Sequence, residues 1–217
     1  MEFSVESALG VGWGTFKSRP WFFVGSSLVI LAAYLLAGFA SAAVDVFGTP
    51  ETPSLLGHAV DILLGTFIDM SMVGFYLAAH ANPETVTLSA LWDWRRPFWM
   101  FLVVSILFQL AVVVGLVLFI VPGIIALLVF LFAPVIVIDQ GLGPIEAMKE
   151  SMRITRGHLW PLLGLVVLLV LLVFAGIVAL FVGVLVAIPV AMLSLVHAYR
   201  ALLFQAGPRP PEQTLIA

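Results

Sequence analysis

The chain has 217 residues, of which 63% are hydrophobic and 10% charged, and its mean hydropathy is +1.21. Soluble domains carry about 25% charged residues, so this composition excludes an ordinary soluble globular protein and requires an integral membrane protein. The formal net charge of −3 decides little, because charge in a membrane protein matters by position. With no cysteine there are no disulfides, thiolate metal sites or cysteine nucleophiles.

The N-terminal stretch MEFSVESALGVGWGTFKSRPW lacks the basic start, short apolar core and small-residue cleavage site of a secretory signal peptide. The first membrane segment is therefore expected to stay in the mature protein. Since a spanning helix takes about 20 apolar residues, six runs qualify: 22–43, 57–80, 98–121, 123–139, 159–180 and 184–205. They leave no room for a separate soluble catalytic domain. Two connections are tight, VPG at 121 to 123 and the break between Phe181 and Gly183, and both read as hairpin turns.

Basic residues fix the orientation. Lys17 and Arg19 precede the first span, Arg95 and Arg96 the third, and Lys149, Arg153 and Arg156 the fifth, while Arg200 and Arg209 close the chain. With six spans all of these fall on one side, and the loop 44–56 opposite has two acids and no base. Lys- and Arg-rich loops stay cytoplasmic, which places both termini inside a bacterial cell membrane. An odd span count scatters the bases over both faces.

The same arrangement recurs before each odd-numbered span: KSRPW at 17 to 21, RRPFW at 95 to 99 and RGHLW at 156 to 160. Ten or eleven residues upstream of each base stands Glu6, Glu84 or Glu146, and apolar residues such as Val5, Leu9, Trp13 and Phe16 fall at helical spacing between. Each unit is therefore expected to open with a short amphipathic helix in the cytoplasmic interface. Pro83 and Pro144 suit a first helical turn, and the acid and the base complement the helix dipole. Residues 7–25 overlay residues 146–164 without a gap. Lys17, Trp21, Arg95, Trp99, Arg156 and Trp160 are candidate interfacial lipid anchors, because tryptophan prefers the headgroup level and bases meet anionic headgroups there. Ordinary anchoring outweighs a specific lipid site on this evidence.

The expected fold is thus an all-α membrane domain over 1–206, made of three helical hairpins, each introduced by an interfacial helix. The units fall at about 4–80, 83–139 and 144–205, and 207–217, rich in proline, reads as a disordered tail.

Within the second span one face is polar. On an α-helix His58, Asp61, Asp69, Tyr76 and His80 share a face roughly 100° wide. A charged Asp in the membrane interior costs about 3 kcal/mol, so such groups face the bundle or water. Three readings follow. Asp61 and Asp69, about 12 Å apart along the axis, suit successive proton or cation stations, with His58 at the outer mouth. A metal site is discounted because the set spans about 33 Å, and no cofactor is expected. Alternatively the carboxylates are tied to Gln109, Ser105, Tyr34 or Ser194 and serve packing, which the lack of another mid-span ionisable group favours. Pro134 and Pro189 either break or only kink the fourth and sixth spans.

Residues 122–164, PGIIALLVFLFAPVIVIDQGLGPIEAMKESMRITRGHLWPLLG, resemble a group of bacterial six-helix membrane proteins that includes the membrane domain fused to some glycerophosphoryl diester phosphodiesterases. The likeness is carried by Pro122, Gly123, Pro134, Glu146, Ser151 and Gly157, with Ala147 and Thr155, and covers closely about a fifth of the chain. It implies architecture and location. Phosphodiesterase activity belongs to a separate soluble barrel in the fused proteins, and a barrel of that kind takes about 250 residues.

Phosphate-binding glycine loops, HExxH and GxSxG are absent from the sequence, so no enzyme activity is expected. Glu146, Ser151, Thr155 and His158 read as caps and interface polarity, and HAYR at 197 to 200 as a routine anchor. The expected role is structural or accessory, organising lipid or a protein partner. Membrane lipids with anionic headgroups are the partners implied, nucleic acid is not, and a small transporter using Asp61 and Asp69 is the alternative.

Overall fold

The computed structural model describes residues 3–46, 55–92, 97–179 and 182–208. Among them the regular structure is entirely helical: α1 (Val5–Ser18), α2 (Pro20–Val46), α3 (Leu55–Ala81), a 310 turn (Leu88–Trp92), α4 (Phe98–Leu118), α5 (Ile120–Phe130), α6 (Ala133–Gln140), α7 (Pro144–Thr155), α8 (Leu159–Val178) and α9 (Val182–Ala206). Six stretches are long and apolar enough to cross a membrane, with α5 and α6 counting together as the fourth.

Local chemistry sets several boundaries. Ser4 Oγ accepts from the Ser7 N–H at 3.1 Å, capping α1, with Glu6 in the first turn and Lys17 in the last. Pro144 opens α7, where the Gly143 N–H donates to Glu146 Oε2 at 3.1 Å. Gly157, at φ +87°, turns the chain from α7 towards α8 in a conformation that side chains with a Cβ resist.

Two sequence expectations need correction here. Val121, Pro122 and Gly123 do not form the turn between the third and fourth spans; it lies at Phe119, and Pro122 sits in the first turn of α5, where a missing N–H costs nothing. Glu84 does not begin a helix either. Residues 83–85 form a turn, and among the described residues between it and α4 the regular structure is the five-residue 310 turn. Arg95 and Arg96 lie outside the described residues, as do Phe181 of the expected break and residues 209–217 of the tail, while Gly183 at the other end of that break lies in α9.

Pairs α2 and α3, α4 and α5, and α8 and α9 pack along each other. At the ends of the last two pairs, glycine permits backbone contact: a Cβ on Gly115 stands 2.8 Å from Gly123 Cα, and one on Gly183 stands 2.7 Å from Gly176 Cα. The first pair is joined by the Ser41 hydroxyl, which donates to the Gly57 carbonyl at 3.0 Å.

The segments that open the units dock in a regular order. The 310 turn packs on α3, α7 on α5 and α6, and α1 on α9. Each opening segment thus seats on the closing span of the unit before it, and α1 closes the ring onto the last unit. Ala8, Gly12 and Phe16 are the buried positions of α1, and the gapless overlay aligns them with Ala147, Ser151 and Thr155, all buried in α7. The shared spacing of i, i+4, i+8 gives one inward face in both copies.

Candidate functional site

The polar face of α3 does not have one environment. Tyr76 is fully buried, His80 is partly buried, and Asp69, Asp61 and His58 are exposed to the space around the protein. The reason lies in the neighbours: α3 packs on α2, α9, α4 and α6, and Asp69, Met72 and Val73 share a cavity wall with the last three, whereas Leu55, Leu56 and Ile62 near its start are exposed. His58 and Asp61 share no hydrogen bond. The Tyr34 hydroxyl of α2 donates to Asp69 Oδ1, and Asp69 borders a cavity of about 250 Å³ that Ser105, Gln109, Phe132 and Pro134 also line.

The Tyr76 hydroxyl is a buried group without a hydrogen-bond partner. Ser26 and Ser27 beside it both donate to the Phe23 carbonyl, at 2.8 and 3.1 Å. His80 and His197 meet edge to face, with ring centroids 5.3 Å apart.

The fourth span is broken in front of Pro134. Pro134 has no N–H for the Phe130 carbonyl and its ring crowds that group, and neighbouring backbone groups displaced by the break are held from α7: Ser151 Oγ donates to the Val129 carbonyl at 2.7 Å and accepts from the Phe132 N–H at 3.3 Å. Thr155 Oγ1 donates to the Ser151 carbonyl at 2.8 Å. Ser151 and Thr155 are therefore buried ties within the bundle, and interface polarity is the wrong description of them. Pro189, by contrast, lies inside a continuous α9.

Tyr199 and Arg200 correct the expectation of a routine anchor. Tyr199 is fully buried; its hydroxyl donates to Asp139 Oδ2 at 2.7 Å and accepts from Gln140 Nε2 at 3.0 Å. Arg200 grips the same carboxylate through both terminal nitrogens, at 2.6 and 3.1 Å. A second tie joins α7 to the end of α9. Arg153 pairs with the buried Glu150 at 2.7 Å and donates to the carbonyls of Ala206 and Gly207 at 2.8 and 3.2 Å. The hydrogen bonds that Arg153 donates to Glu150 hold the guanidinium above its ordinary pKa, so Arg153 stays charged at any physiological pH. These four-sided contacts were missed because bases were read for topology and not matched with acids. Asp139 ends the fourth span and Arg200 lies near the end of the sixth, which six spans put at one depth.

The candidate anchors stand apart from these ties. Trp21, Trp99 and Trp160 are exposed at 86%, 70% and 83%, Arg156 is exposed, and Lys17 Nζ lies 5.5 Å from the ring of Trp13. Arg19 donates to the carbonyls of Pro83, Glu84 and Val86, fastening the end of α1 to the turn after α3.

Six stretches of helix long and apolar enough to cross a bilayer make this a multi-pass helical membrane protein. The family described as a domain of unknown function, DUF7847, matches residues 70–217, about two thirds of the chain, and the chain belongs to that family. The match takes in the break before Pro134, α7 and the Asp139–Arg200 pair, and begins one residue after Asp69. No curated protein and no solved structure matches the chain.

Proposed function

We propose that the protein is an accessory protein of the bacterial cell membrane, with both termini in the cytoplasm, that organises anionic lipid around its cytoplasmic face. Three hairpins form the membrane body, and α1 and α7 lie as amphipathic helices at the headgroup level. The observation that supports this reading is the outer face of α7. Ile145, Lys149 and Met152 are exposed within a stripe about 60° wide, and the exposed Arg156 and Trp160 continue beyond its end. Apolar and basic side chains on one stripe suit the boundary where acyl chains meet phosphate: the carbon side chains enter the apolar layer and the charges reach headgroups. The resemblance of residues 122–164 to the membrane domain fused to some glycerophosphoryl diester phosphodiesterases fits the same setting. No catalytic role is assigned to this chain.

Spin-labelled lipids test the reading. In bilayers containing the protein, electron paramagnetic resonance should show a larger motionally restricted fraction for phosphatidylglycerol than for phosphatidylcholine. Lys149→Glu combined with Arg156→Glu should make the fractions equal. Equal fractions with the unaltered protein would sink the proposal.

A second reading, a small transporter or channel using Asp61 and Asp69, has one observation in its favour: the cavity beside Asp69. Asp69→Cys in this cysteine-free chain should react with a small membrane-impermeant thiol reagent. Cysteines at 51 and 93 report the two sides, and an unreactive Asp69→Cys counts against a water path.

A further inference from the structure

The cavity beside Asp69 has the make-up of a ligand site. Its walls come from α3, α4, α9 and both sides of the break in the fourth span, and they are mostly carbon, with Phe101, Phe108 and Phe132 among them. Set into this apolar lining are one carboxylate, one hydroxyl and one amide, from Asp69, Ser105 and Gln109.

Asp69 is the group that needs explanation. Tyr34 supplies it with one neutral donor, and among the described residues no Lys, Arg or His pairs with it. A carboxylate beside a mostly apolar wall is charged at lower cost when a cation sits next to it. Hard metal ions take six or more oxygen ligands, which this carbon-rich wall does not offer. Anions are repelled by the carboxylate. Aromatic faces near a single negative charge suit a cation that carries its own apolar surface, because the ring faces attract it and its carbon groups fill the remaining space.

We propose that this cavity binds a small organic monocation, a quaternary ammonium or protonated amine with apolar substituents. Asp69 supplies the countercharge, and Phe101, Phe108 and Phe132 supply the aromatic wall. Ser105 and Gln109 accept N–H bonds when the ligand is a protonated amine. The inference rests on the second reading above only in taking Asp69 to face an open space.

The probe is radiolabelled benzyltrimethylammonium, with the full chain in nanodiscs. Binding should saturate at one site per chain, and neopentylbenzene, the neutral molecule of the same shape, should not compete. Asp69→Asn keeps an acceptor for Tyr34 and should weaken binding about tenfold or more; Phe108→Leu, which keeps the carboxylate, should weaken it by about threefold. Asp61→Asn, outside the lining, should bind as the unaltered protein does. No saturable binding, equal competition by neopentylbenzene, or unchanged affinity in both Asp69→Asn and Phe108→Leu overturns the proposal. Thiol labelling of Asp69→Cys separates the two ideas: labelling without cation binding leaves the water path standing and removes this ligand, and binding without labelling does the reverse.

Discussion

Arg200 and Asp139 form a two-point ion pair that joins the C-terminal ends of the fourth and sixth spans, with nitrogen to oxygen distances of 2.6 and 3.1 Å. The Tyr199 hydroxyl also donates to this carboxylate and in turn accepts from Gln140. The Asp139 side chain is 14% exposed and that of Arg200 41%. Arg200→Gln therefore strands a mostly buried charge and should cost about 2 kcal/mol, less than a fully buried pair because solvent screens the arginine. Asp139→Asn should cost less, since Asn still accepts from Tyr199. Thermal unfolding in detergent gives both values, and the double variant should cost less than their sum.

Gly115 and Gly183 should not tolerate a methyl group. Each would drive a Cβ into the backbone of the facing helix, so Gly115→Ala and Gly183→Ala should each cost about 1–3 kcal/mol. Gly38 and Gly65 have nothing within 4 Å of a Cβ. Alanine at those two positions should leave the unfolding midpoint unchanged or raise it.

Gly12 governs the seating of α1. A Cβ there meets Ser194 Oγ at 2.2 Å and the Val190 carbonyl at 2.8 Å, whereas Gly10 and Gly14 have open space. Gly12→Leu should lift α1 from α9, and hydrogen exchange across residues 5–18 should accelerate. Gly10→Leu and Gly14→Leu should leave the exchange pattern as it is.

Ser151 and Pro134 should be coupled. Ser151→Ala leaves the Val129 carbonyl and the Phe132 N–H without their shared partner and should cost about 1–3 kcal/mol. Pro134→Ala restores an N–H and lets the fourth span close into one helix, which lessens the need for Ser151. The combined variant should therefore be more stable than the sum of the two changes. A strictly additive pair would show that Ser151 is not there to satisfy the break.

Tyr34→Phe removes the hydrogen bond to Asp69. Interhelical hydrogen bonds in membranes average about 0.6 kcal/mol, so the loss of stability should be of that order. A much larger loss would mean that the pair holds α2 on α3.

What could be read from the sequence depended on signals that are local. Apolar runs of bilayer length gave six spans, and the recurring base, tryptophan and acid located the openings of the first and third units. The second unit departs because Glu84 falls in a turn after Pro83, and the pattern of residue types does not distinguish a five-residue 310 turn from a longer helix. Tyr34 was legible as one of four partners offered to Asp69. The Arg200–Asp139 pair was not, as its members are 61 residues apart and only packing brings them together.

By itself the sequence determined that this chain is a membrane protein, because hydropathy sums over neighbouring residues and requires no knowledge of the fold. It also fixed which helix face is polar, since an α-helix repeats every 3.6 residues. Tertiary structure alone decided what that face meets: Tyr76 is buried, Asp69 borders a cavity and Asp61 is exposed, although all three share one stripe. Burial and pairing depend on the helices alongside, α2, α4, α6 and α9 for this face, and the seating of the whole bundle includes backbone approach at Gly12 and the break before Pro134. Neither has any local mark beyond a glycine and a proline.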